Sequence, residues 1–366
     1  RFSAAAAAPI LLNIFMILAT VVAWIFETGD SALTGYILAA GVSVAGVAQF
    51  LLLAFVCRRA GMPLVPQWPV FSPDVKRVLA LSIPGIISGG IMQINLLVAT
   101  VIATSIDRAV AYLYYADRLY QLPLGVIVVA IGVVLLPDLS RKLRAGDDRA
   151  ALNSQNRALE LSLFLTVPAA IALMAIPVPI IRTVLEHGAF TAADTLAVTP
   201  TVLAFATALP AFAMTKVFQP VFYAREDTRT PMRFAVISVA INIAASLLLS
   251  RWFGHVGIAA ATSIAAWANA ILLATALTRR GHYRLDDRLK ARLPKILLCA
   301  VAMGLLLLLG LWFLEGNFTE SASFSSAAWG FLFLLPAAAA SNFALAHSSG
   351  PLSFAKLRRL TNGKFF

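Results

Sequence analysis

Apolar residues in this chain gather in long runs separated by short polar segments, with none of the period-two alternation of a strand. Runs of about 20 residues cross a hydrocarbon layer of roughly 30 Å as helices. The pattern predicts ten such spans: Ala4–Phe26, Leu33–Val56, Val75–Thr104, Ala109–Leu139, Ala158–Leu185, Ala192–Tyr223, Met232–Leu249, Val256–Leu277, Ile296–Leu314 and Ala327–Ala346. Ser72-Pro73 offers an N-cap and a first-turn proline before the third span, and Thr191-Ala-Ala-Asp194 matches a capping box opening the sixth. Pro123, Pro168 and Pro210 fall inside spans, where each removes a backbone donor and predicts a kink. In lipid such breaks survive when buried in protein or facing a water-filled cavity, as in a transporter, although proline is also frequent in membrane helices generally. The fold class expected is an all-α integral membrane protein.

Charge sets the expected orientation. The loops after the second, fourth, sixth and eighth spans, with the C-terminal tail, hold 23 of the 29 Lys and Arg residues, whereas the intervening loops hold only Arg108, Arg182 and Arg251. By the positive-inside rule both ends of the chain are expected in the cytoplasm. The longest polar stretch, Thr278 to Lys295, leaves no room for an extramembrane catalytic domain.

Composition narrows the classes further. Apolar residues make up 60% and charged residues 13% of the 366, against about 45–50% and 25% in a soluble domain. The net charge of +12 sits in short blocks between apolar runs, which argues for topology and against nucleic acid as a partner. Cys57 and Cys299 make no disulfide framework, and four histidines make no metal cluster: His187 and His255 fall in loops on one side, and His282 in a basic loop on the other. No nucleophile-base pair, Walker loop or metal-ligand run is present, so neither an enzyme nor an ATP-driven pump is indicated. The chain opens at Arg1 in apolar sequence without the basic segment of a signal peptide, and is expected to be part of a longer protein.

Charge within the spans points to chemistry, because an ionised side chain at mid-bilayer is costly unless it faces a cavity or a partner. Arg118 lies nine residues into the fourth span, beside Asp117 and Gln121. One reading has its guanidinium fork gripping an anionic head group. The other pairs it with Asp117 or Asp107, or lets it snorkel among Tyr114, Tyr115 and Tyr120 at an interface. Lys216, seven residues from the end of its span, is a weaker candidate that can also snorkel. Asn242, Ser246 and Thr262 offer oxygen ligands for an ion, or hydrogen bonds between helices. The span Ile296–Leu314 is almost wholly apolar, and its Gly304 and Gly310 are candidates for lining a groove along a lipid tail.

Four motifs carry a resemblance. Tyr115-Ala-Asp-Arg-Leu-Tyr-Gln-Leu-Pro-Leu-Gly125, Ala130-Ile-Gly-Val-Val-Leu-Leu-Pro-Asp-Leu-Ser-Arg141, His187-Gly-Ala-Phe-Thr191 and Phe222-Tyr-Ala-Arg-Glu-Asp-Thr-Arg-Thr-Pro231 occur in the order and at the helix positions of the MurJ-type lipid II flippases. This family is the mouse-virulence-factor branch of the multidrug/oligosaccharidyl-lipid/polysaccharide exporter superfamily. The resemblance implies helices 5–14 of a fourteen-helix, two-lobe transporter. Residues 1–71 would then hold the last two helices of the N-terminal lobe and a linker. Residues 72–280 would form the six-helix C-terminal lobe, and 281–366 two additional helices with a lipid-tail groove and a basic cytoplasmic tail.

It also implies a lipid flippase of the bacterial inner membrane with Arg118 as a cavity arginine. The partners implied are lipid II or a similar polyprenyl-pyrophosphate glycan and membrane lipids, with a monomeric protein. No cofactor is implied, and sodium or the membrane potential would drive the cycle. Two departures stand out: Gln121 replaces an acidic residue of some members, and Ser246 stands where a sodium-binding member would carry a carboxylate. Alternatives are a related exporter of another polyprenyl-linked oligosaccharide or of drugs, and a ten-span membrane glycosyltransferase. The short loops, with scattered acids such as Asp30, Glu186 and Glu315, speak against the last.

Overall fold

The computed structural model describes residues 3–26, 29, 31–59, 93 and 95–313, and among these every regular element is a helix. The predicted span Ala327–Ala346, most of Val75–Thr104 and the Ser72-Pro73 cap lie outside the described residues.

The chain divides into two compact units, residues 1–80 and 81–366. In the first, α1 (Ser3–Ile25) packs on α2 (Ala32–Arg59). Small residues permit the approach: a Cβ on Gly41 would lie 2.6 Å from that of Ala19, and Ala45 is fully buried.

In the second unit the first helices among the described residues are α3 (Asn95–Thr104) and α4 (Ala109–Arg144). The predicted span Ala158–Leu185 is two helices, α5 (Asp148–Ala175) and α6 (Pro177–Leu185), separated at Ile176 because the residue before a proline is pushed out of the α region. Ala192–Tyr223 is interrupted at Thr207 and Ala208 into α7 (Ala192–Ala206) and α8 (Leu209–Ala224); both residues keep right-handed α backbone angles, and the interruption falls where Pro210 removes a backbone donor. Backbone carbonyls beside this break receive side-chain donors from farther along the chain: Ser263 Oγ donates to Ala204 O at 2.6 Å and Trp267 Nε1 to Thr207 O at 2.9 Å. That is the condition for an interrupted helix at membrane depth. Pro123 and Pro168 lie within the continuous helices α4 and α5. The capping box forms as read: Thr191 N–H donates to Asp194 Oδ2 at 2.9 Å, and Asp194 N–H to Thr191 Oγ1 at 3.4 Å.

The spans Met232–Leu249 and Val256–Leu277 are two helices, as expected, labelled together α9 (Arg229–Arg279) and joined by a sharp reversal at Gly254, whose φ of 55° and ψ of −133° suit only glycine. Its arms run antiparallel, and Ser238 Oγ donates to Ala265 O at 2.7 Å across them. At the fold a Cβ on Gly257 would collide with the backbone carbonyl of Leu249. Backbone cannot swing aside as a side chain does. Gly257→Ala is therefore expected to cost about 1–3 kcal/mol, read as a lowered melting temperature of the detergent-purified protein; an unchanged value would contradict this packing.

The last helix among the described residues is α10 (Asp287–Phe313), which starts nine residues before the predicted Ile296. Asp286 caps it, accepting from Leu289 N–H at 2.7 Å, and Arg288 and Arg292, one turn apart, are drawn to Glu160 of α5. The polar stretch before Ile296 is thus largely helix. Helices α5 and α8 form the centre, with α4, α9 and α10 packed around them. One core layer gathers Leu173, Ile181, Val202, Phe205 and Leu209, and a second Leu139, Leu159, Phe218, Phe222, Leu277 and Leu289.

Candidate functional site

The rotation of α4 follows from its buried stripe. Ala116, Leu119 and Tyr120 enter the core, where the Tyr120 ring lies 5.0 Å from that of Phe205 and 5.8 Å from that of Phe212. Helical spacing then turns Tyr114, Arg118, Gln121 and Gly125 outward, and all four are exposed. Arg118 Nη2 donates to Tyr114 Oη at 2.7 Å, and its guanidinium carbon lies 4.6 Å from the ring centroid of Tyr114. Among the described residues no carboxylate pairs with Arg118. Asp117, half-buried, takes its hydrogen bond from Gln121 instead. Asp117 and Gln121 thus satisfy each other, leaving a guanidinium steadied on one side with its other donors open. Such a group can donate two parallel hydrogen bonds to the oxygens of a phosphate or pyrophosphate.

Two of the sequence motifs hold this helix and its neighbours in place. Phe190 stacks edge-on against Tyr115 at 5.1 Å, and Asp194 accepts from Tyr112 Oη at 3.0 Å and pairs with Arg108 at 3.3 Å. In the turn before α9, Asp227 accepts from Thr230 Oγ1 and Arg280 Nη1, each at 2.6 Å. Burial pushes the Asp227 carboxyl up, but the bonds from Thr230 and Arg280 outweigh it and hold the pKa at about 2.

Asn242 and Ser246, both buried on α9, form a chain with a residue that spacing did not single out. Ser246 Oγ donates to Asn242 Oδ1, and Asn242 Nδ2 to Asn95 Oδ1 of α3, each at 3.1 Å. Only contact between α3 and α9 reveals Asn95; its sequence neighbourhood is unremarkable. Thr262 bonds at 3.1 Å to Ile258 O of its own helix. No cluster of three His, Cys, Asp or Glu occurs among the described residues, and the three side chains already pair with one another. A donor set of two amides and a hydroxyl, without a carboxylate, is a poor match for a tight cation site.

Of the two groove glycines, Gly304 is buried, and a Cβ there would lie 2.6 Å from Ile171 Cγ2 of α5. It serves close packing of α10 on α5 and does not face open space. Gly310 is half-buried, and Lys216 is exposed on α8.

A multi-pass helical membrane protein with interrupted helices and an outward-facing cation is the class these features define. The family model described as Lipid II flippase MurJ matches residues 1–327, and the chain belongs to that family. It is 42% identical over 359 residues to the probable lipid II flippase MurJ of Rhizobium meliloti (strain 1021), covering 98% of this chain and 67% of that protein. It is 46% identical over 304 residues to the one of Rhizobium tropici, covering 83% and 57%. The probable flippase of Rickettsia prowazekii (strain Madrid E) is 33% identical over 321 residues, covering 87% and 62%. A solved structure titled "Lipid II flippase MurJ, inward closed conformation" superposes with a TM-score of 0.73 at 24% identity, over 93% of this chain and 66% of that one, and shares the fold. The chain thus spans about two thirds or less of the proteins it matches. It is a multi-pass protein of the bacterial inner membrane.

Proposed function

We propose that this chain forms the larger part of a lipid II flippase, moving the lipid-linked peptidoglycan precursor from the inner to the outer leaflet by alternating access. The observation that carries this reading is Arg118, an exposed guanidinium on a membrane helix that a phenol steadies and that forms no ion pair with a described carboxylate. A pyrophosphate head needs such a cation in a solvated cavity, while a polyprenyl tail stays in lipid. In this proposal residues 1–71 complete a first lobe, 72–280 form the second, 281–366 handle the tail, and both ends are cytoplasmic. The protein acts as a monomer, with lipid II and membrane lipids as its partners.

Growth of cells depleted of their own lipid II flippase tests the reading. The gene encoding this chain is expected to restore growth; protein present in the membrane without rescue would contradict it.

The neutral Asn95–Asn242–Ser246 chain favours the membrane potential, worth about 2.3 kcal/mol per charge per 100 mV, over sodium as the driving force. Replacing external sodium by potassium at constant potential is expected to change rescue or transport less than twofold. A tenfold fall would place a sodium ion in the cycle.

A further inference from the structure

Away from Arg118, a cavity of about 460 Å³ opens where the basic end of α9 meets α5, α8 and α10. Its volume is within the roughly 300–1,000 Å³ of small-molecule sites. The wall is apolar, with Leu159 and Leu163 of α5, Phe218 of α8 and Leu293 of α10. The threonines on it, Thr275 and Thr278, turn their hydroxyls to the carbonyls of Leu272 and Ala274 on their own helix. Two polar groups remain. Tyr283 is 6% exposed, lines the cavity, packs edge-on against Phe218 at 5.3 Å, and its buried hydroxyl has no partner among the described residues. Arg279 stands exposed on the same wall without a described carboxylate, whereas its neighbour Arg280 is tied to Asp227 at 2.6 Å. Burial first, and then the nearby Asp286, push the Tyr283 phenol up, so it stays a neutral donor.

A buried hydroxyl left unpaired is costly, and an apolar cavity with one donor inside and one cation on its wall has the polarity of a glycerolipid. We propose that this cavity binds one acyl chain of an anionic phospholipid, whose ester carbonyl accepts from Tyr283 and whose phosphate is held by Arg279. The donor beside the apolar wall selects a glycerolipid over a polyprenyl phosphate, which has no ester carbonyl there. The site is separate from the Arg118 face and does not depend on flipping.

The test titrates the full chain in detergent with phosphatidylglycerol, phosphatidylcholine or undecaprenyl phosphate, and counts bound lipid by native mass spectrometry. Phosphatidylglycerol is expected to bind the wild-type protein most tightly. Tyr283→Phe, which keeps the ring and its packing, should weaken it about fivefold, the worth of one net hydrogen bond. Arg279→Gln should bring phosphatidylglycerol down to the level of phosphatidylcholine. Wild-type affinity in both variants overturns the site. So does displacement of phosphatidylglycerol by an equal concentration of undecaprenyl phosphate. Absence of phosphatidylglycerol from the wild-type protein would mean that another part of this chain fills the cavity, and overturns it as well.

Discussion

Arg118→Ala abolishes growth rescue in cells that depend on the gene encoding this chain, and leaves the amount of protein in the membrane unchanged. The two halves of that expectation rest on different facts. Arg118 is exposed and contributes to no core cluster, so its loss changes stability by about 0.5 kcal/mol or less. In the proposed role it donates hydrogen bonds to a charged head group, each worth about 1.5–3 kcal/mol, so losing a bidentate pair is expected to weaken head-group binding about 100-fold or more. Arg118→Lys also fails or is weak, because an ammonium is a point charge without the planar fork. Tyr114→Phe, which removes only the supporting phenol at 2.7 Å, reduces rescue without abolishing it. Membrane quantification beside the growth assay separates binding from folding, and normal growth of Arg118→Ala would remove the assignment.

Glu160→Ala produces the largest loss of stability. This carboxylate on α5 is 8% exposed and meets Arg157 at 2.5 Å, Arg288 at 3.3 Å, and Arg292. Arg157 also pairs with Asp286, while Asn156 Nδ2 donates to Arg284 O at 3.1 Å, so the cluster ties α5 to the turn before α10. Removing the shared anion leaves three guanidiniums facing one another, two of them less than a quarter exposed. Breaking a buried pair in this way costs about 3–5 kcal/mol. The expected readout is a melting temperature lowered by about 5 °C or more in detergent, with a smaller drop for Glu160→Gln, whose amide oxygen still accepts. No change in either variant would show that the cluster is solvated and contributes nothing.

What could be read in the sequence is what depends on local pattern. The apolar runs marked α1, α2, α4 and both arms of α9, the Thr191–Asp194 pair announced a helix start, and Arg118 stood out as a charge within a span. Hydropathy is blind to backbone interruptions within an apolar run. Ile176 is as apolar as its surroundings and gives no warning of the break before Pro177, whereas Pro210 marked the one at Thr207–Ala208, where the donors from Ser263 and Trp267 appear only in the fold. The early start of α10 was hidden because its first turns are charged, and their helix depends on Asp286 and on Glu160, 128 or more residues away from Arg288 and Arg292. Asn95 becomes conspicuous only when α3 meets α9. Gly304 was visible as a small residue, but which neighbour it admits is a property of packing, and that neighbour is Ile171.

In the proposed function the protein encoded by this gene carries lipid II across the membrane with Arg118 in contact with its head group. The most direct measurement is the fraction of lipid II in intact cells that a lipid II-cleaving enzyme added outside can reach. Cells depleted of their own flippase are expected to lose this accessible fraction, the gene to restore it, and the Arg118→Ala form, present at equal level in the membrane, to leave it lost. Equal cleavage with the wild-type and Arg118→Ala forms, or none with the wild-type form, would contradict the proposed function.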